Sequence, residues 1–149
     1  MQNFIQQLSE NHILWVTIIA WVLAQSIKVV IGVVRQKKFD FRWFVGPGGI
    51  PSSHASGACA LATSIGLKYG FDTVSFALAV AFAIVVMFDA QNVRRAAGKQ
   101  AQILNKMMED IYWKGRIKEA QLRELLGHTP VEVFLGMIFG IFVALILHH

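Results

Sequence analysis

An all-α integral membrane bundle of about four transmembrane helices is the fold class that this sequence predicts. Three observations carry it. Apolar residues make up 55% of the 149 residues and charged residues 15%, against about a quarter charged in ordinary soluble domains. The charges are unevenly spread, so apolar runs of roughly bilayer-crossing length remain near 13–34, 53–69, 73–92 and 130–147. Finally, 12 of the 14 Lys and Arg fall in the 35–50 and 91–127 segments, which alternating crossings would place on one side. Length and the lack of an internal repeat predict a single membrane-embedded domain over 1–149.

Residues 1–10 are polar and read as an interfacial lead-in. They contain no Lys or Arg, so no cleavable signal peptide is expected. The first run, 13–34, has Lys28 as its only charged residue. A basic aromatic loop follows, in which Arg35, Lys37, Lys38 and Arg42 interleave with Phe39, Phe41, Trp43 and Phe44. Beside a membrane span this pattern reads as headgroup anchoring rather than binding of nucleic acid, so no nucleic acid partner is expected. The second run is rich in small residues, from Ala55 to Ala62, which let helices approach closely in lipid. Its lone Cys59 forms no intramolecular disulfide and reads as a packing residue. The third run ends near Asp89, Arg94 and Arg95.

Residues 96–127 are polar, with apolar residues recurring at Ile103, Leu104, Met107, Met108 and Ile111. That spacing predicts an amphipathic helical segment on the cytoplasmic membrane surface, between the third and fourth spans. A short second helix, Ile117 to Leu126, would stop at Gly127. The fourth run opens at Pro130, a favoured first helical residue. Its Gly136 and Gly140 form a GxxxG pair, suited either to packing within the fold or to a homodimer. The terminal His148-His149 pair receives no functional weight.

The positive-inside rule assigns the basic loops to the cytoplasm, in a multi-pass protein of the cell membrane. Ionisable residues then gather at one membrane face. Lys28 and Arg35 lie at the exit of the first span, and Ser52, Ser53 and His54 open the second. Asp89, Arg94 and Arg95 leave the third, and His128 and Glu132 open the fourth. A helix start favours anions, through its unpaired N–H groups and its dipole. Glu132 follows His128 by four residues, a spacing that puts both side chains on one helix face if the helix already includes them. A carboxylate on an imidazole fixes its tautomer and stabilises its cation. Each residue also has a plain role. Ser52 serves as a helix cap, Lys28 reaches the headgroups over its own stem, and Asp89 pairs with a neighbouring arginine.

The ordered set Lys28-x6-Arg35, Gly48-Gly49-Ile50-Pro51-Ser52-Ser53-His54, Arg94-Arg95 and His128-Thr129-Pro130-Val131-Glu132 resembles the motifs of the type 2 phosphatidic acid phosphatase superfamily, which includes vanadium haloperoxidases. It looks like the divergent branch of that superfamily. The resemblance spans about residues 20 to 142. This sequence departs from the pattern in four places. Gln36 stands for a proline, Ser53 for a glycine and Glu132 for an aspartate, and about thirty residues separate the arginine pair from His128 where the family has about five.

The resemblance implies a membrane phosphatase acting on a phosphate or pyrophosphate monoester, with a membrane lipid phosphate as substrate and neither metal nor other cofactor. His128 would be the nucleophile, oriented by Glu132, and His54 the general acid. Lys28, Arg35, Ser52, Ser53 and one of Arg94 and Arg95 would hold the phosphate. Apart from the resemblance, Lys37, Lys38 and Arg42 stand as substitutes for Arg35, on a loop able to fold back over the site. A second reading keeps the same cradle without turnover, as a non-catalytic binder or carrier of phospholipid or polyprenyl phosphate.

Overall fold

The computed structural model of the chain describes residues 2–37, 49–112 and 128–148. Among these, regular structure is helical throughout: α1 Gln2–Ser9, α2 His12–Gln36, α3 Ser53–Tyr69, α4 Val74–Phe88, α5 Arg94–Tyr112 and α6 Pro130–Ile146, with a π-helical turn, Asp89–Val93, joining α4 to α5. The basic aromatic stretch 38–48 and the expected short helix Ile117 to Leu126 lie outside the described residues.

Four helices, α2, α3, α4 and α6, begin where a side chain takes up orphan N–H groups. Asn11 caps α2, accepting from the Leu14 N–H at 3.1 Å. Ser52 caps α3 through the Ala55 N–H at 3.4 Å. Thr73 caps α4 through the Phe76 N–H at 3.3 Å. At α6 the cap is a reciprocal capping box of Thr129 and Glu132, with proline in the first turn. Gly70, at φ +103°, ends α3 and opens the tight turn into α4.

The α3 helix is the hub, packing against α2, α4 and α6. It does so with Ala55, Ser56, Ala58, Ala60, Ala62 and Gly66, all buried. Lipid supplies no hydrophobic drive between helices, so close approach of small faces has to provide the packing. Of the two uses the sequence leaves open for the GxxxG pair, the structure shows the one within the chain. Gly136 lies against the Ser52 carbonyl and Gly140 against the Ser56 carbonyl, with both glycines buried. That register runs α3 and α6 parallel. Ser56 Oγ also donates to the Ala20 carbonyl of α2 at 3.1 Å. Cys59 is buried beside Met87 of α4, with its Sγ 3.9 Å from the Met87 Sδ, in keeping with a packing role.

Two helical stretches, His12–Arg35 and Val74–Gln91, are long and apolar enough to cross a bilayer. Pro130–Ile146 is apolar and one residue shorter than the second of these, at 17 residues. The third apolar run ends as a bilayer-length stretch at Gln91, close to the expected residue 92, and the helix outlasts it. Helical backbone continues from α4 through the π-turn into α5, as far as Tyr112. Neither glycine nor proline occurs between Asp89 and Ala97, so polarity changes there while the backbone has no reason to break.

Candidate functional site

One end of the bundle collects the C-terminal part of α2, the start of α3, the π-turn and the start of α6. Two backbone hydrogen bonds lock it. The Ser52 N–H donates to the Glu132 carbonyl at 3.0 Å, and the His128 N–H donates to the Ala90 carbonyl at 3.1 Å. Beneath Gly49, at φ +92°, runs the aliphatic stem of Lys28. A Cβ at Gly49 would sit 2.7 Å from Lys28 Cγ, so this turn requires glycine both for its backbone angle and for its space.

His128 is buried, with 1% of its surface exposed. Its Nδ1 lies 3.0 Å from Glu132 Oε2. The same carboxylate oxygen accepts the Thr129 N–H at 3.0 Å, and Thr129 Oγ1 accepts the Glu132 N–H at 3.3 Å. Residue 128 precedes the cap, so the pair is not two side chains on one helix face. Glu132 instead reaches back over the first turn to the cap residue and its predecessor. The capping box therefore fixes the carboxylate, and the carboxylate fixes the imidazole. With its proton on Nδ1 towards Glu132, the neutral ring carries its lone pair on Nε2. The Lys28 ammonium lies within electrostatic reach of the same carboxylate.

Ser52 and Ser53 are fully buried. Ser53 Oγ has no hydrogen-bond partner among the described residues. Gly57, one turn further on the same face, packs against Trp21 of α2, so Ser53 faces the helix that carries Lys28. A buried hydroxyl without a partner costs about 1–3 kcal/mol, a cost that a bound polar group would remove.

His54 stands elsewhere. It is exposed on the α4 side of α3, where with Val85, Val86, Asp89 and Ala90 it lines a cleft of about 260 Å³. Ala90 touches both regions: it lines this cleft, and its carbonyl holds the His128 N–H. Asp89 thus shares a cleft with His54, and the arginine side chains with which its sequence position suggests pairing lie outside the described residues. Arg35 is exposed, on the Lys28 face about 10 Å further along α2. Arg94 and Arg95 open α5, and their side chains lie outside the described residues.

The structure therefore gathers Lys28, Ser52, Ser53, His128 and Glu132 at one helix junction and sets His54 and Asp89 in the adjoining cleft. Thr129 and the Ala90 carbonyl escape a reading by residue type. The Thr129-x-x-Glu132 spacing does carry a capping-box signature that marks the first of them. The second is a backbone group, and only the tertiary contact reveals it.

Long apolar helices and a polar junction at one end, where buried His128 meets the partly exposed Glu132, define a helical membrane protein. Comparison with known sequences agrees. The family model described as "Divergent PAP2 family" matches residues 9–143. The chain belongs to that family, a membrane family related to PAP2. It is 40% identical over 152 residues to the uncharacterized membrane protein YuiD of Bacillus subtilis (strain 168), covering 95% of this chain and 96% of YuiD. No solved structure matches.

Proposed function

We propose that the chain is an integral membrane phosphatase, acting on a phosphate or pyrophosphate monoester of a lipid through a phosphohistidine on His128. The observation that carries this reading is the buried His128, held at 3.0 Å by a carboxylate that the helix cap itself immobilises. Such a pair suits a nucleophile that must become cationic as it forms a bond to phosphorus.

In this scheme the Nε2 lone pair of His128 attacks phosphorus and the bond to the lipid oxygen breaks. His54, protonated and set beside Asp89, gives its proton to that leaving oxygen. Water then attacks the phosphohistidine while His54 takes a proton back, the P–N bond breaks, and orthophosphate leaves. Lys28 and the hydroxyls of Ser52 and Ser53 offset charge on the phosphoryl oxygens. Arg35 and one of Arg94 and Arg95 complete the cation set. No step calls for a metal. With α3 and α6 crossing alongside α2 and α4, the whole chain forms one membrane-embedded unit with its site at the cytoplasmic face.

A broad panel of lipid phosphates and pyrophosphates, given to purified protein without added metal, tests the activity. Orthophosphate release is expected. Saturable lipid phosphate binding with no release from any member would replace this reading with that of a binder or carrier. The specific observation behind that second reading is the placement of His54, exposed on the α4 side while His128 is buried.

Two further outcomes are expected. Glu132→Gln keeps an acceptor for the cap but loses the charge that stabilises imidazolium. Its kcat should fall by about 10²–10⁴ with KM little changed; an unchanged kcat would remove Glu132 from the mechanism. For sidedness, a cysteine placed within 113–127 should resist impermeant thiol reagents in intact cells and react once the membrane is opened. Labelling in intact cells would reverse the orientation.

A further inference from the structure

The α5 helix has two different faces. Gly98 and Asn105 are buried. Ile103, Leu104 and Met107 stand 56%, 48% and 54% exposed. At about 100° per residue these three form one stripe, turned well away from the buried pair. Lys99 and Lys106, both exposed, fall along one margin of it. An exposed apolar stripe of this kind calls for a cover.

What covers it follows from where the helix starts. The α5 helix leaves the π-turn directly from α4, whose Val85 and Phe88 are themselves 65% and 64% exposed at the end of a bilayer-length apolar stretch. The first turns of α5 are therefore at the membrane surface, where an apolar stripe with a lysine margin fits an acyl–headgroup boundary. Arg94, Arg95, Lys99 and Lys106 outnumber its carboxylates, Glu109 and Asp110, which come after the stripe. We propose that α5 docks on an anionic lipid surface, with Ile103, Leu104 and Met107 inserted and Lys99 and Lys106 at the headgroups. The Ala90 carbonyl, in the same π-turn, holds the His128 backbone. Docking thus steadies the turn on which that residue hangs.

The test is the depth of a fluorescent label. Leu104→Cys, made together with Cys59→Ala, is labelled with an environment-sensitive dye, and Gln102→Cys on the other side of the helix serves as the control. The protein is reconstituted in phosphatidylcholine vesicles with and without phosphatidylglycerol. The label at 104 should be quenched by lipids brominated near the glycerol, and the label at 102 by an aqueous quencher. Phosphatidylglycerol should favour the inserted state by about fivefold per lysine, and Lys99→Gln with Lys106→Gln should remove that dependence. Equal aqueous quenching at 104 and 102 in anionic vesicles would overturn the proposal. So would insertion indifferent to phosphatidylglycerol. None of these readings involves phosphate release, so the result stands apart from that of the activity assay.

Discussion

Replacing His128 with alanine is expected to reduce phosphate release by on the order of 10³-fold or more. In the proposed scheme this residue makes the bond to phosphorus, and no neighbour in the described site can do so in its place. Its ring is 1% exposed, so its removal also leaves a small cavity and a carboxylate that has lost one partner. Stability must therefore be measured beside activity. The α6 cap should survive, because Glu132 still accepts the Thr129 N–H. His54→Ala provides the contrast. A general acid contributes about 10²–10⁴-fold, and a substrate with a better leaving group should recover part of that loss while recovering none in His128→Ala. Wild-type rates in His128→Ala would refute the nucleophile assignment. Equal recovery in both variants would refute the division of roles.

The largest effect on stability is expected at Gly140. A Cβ there would run into the Ser56 carbonyl and also lie 2.8 Å from the Ser56 carbonyl carbon. The obstacle is backbone, which no rotamer change can move. Gly140→Ala should therefore push α6 off α3 and lower stability by about 1–3 kcal/mol, despite the better helix propensity of alanine. Gly57→Ala is the matched control, since the nearest atom to its Cβ would be 3.6 Å away, on Trp21. That variant should be neutral or slightly stabilising. Unfolding in mild detergent against a denaturing one reads both. Equal stability of the two variants would contradict the α3–α6 register.

How much of this was legible in the sequence depended on whether the signal was local. Helix starts were: Ser52, Thr73 and Thr129 stand before apolar runs, and each caps a helix. The small residues of α3 announced a helix that others crowd around, as they do. The His128–Glu132 proximity was also legible, but through a different geometry. The four-residue spacing suggested a shared helix face, whereas the carboxylate folds back over a cap that residue 128 precedes. The end of the third apolar run near residue 92 was legible, but the continuity of the helix beyond it was not, because hydropathy falls there with no residue to break a helix. The position of His54 was not legible at all. Its spacing places it over Ala58, and only the packing of Ala58 near Ala83 shows that this face belongs to α4. The π-turn whose Ala90 carbonyl holds His128 left no mark in composition, because its partner lies 38 positions away, at residue 128.

The central claim is a covalent bond between His128 and phosphorus. Lipid phosphate carrying a radiolabelled phosphoryl group, mixed with reconstituted protein and quenched in alkali within a turnover, tests it most directly. The account predicts a label on the protein that is stable to alkali, lost in acid, mapped to the peptide containing His128 and absent from His128→Ala. Phosphate release without a labelled protein, or a label that persists in His128→Ala, would contradict it.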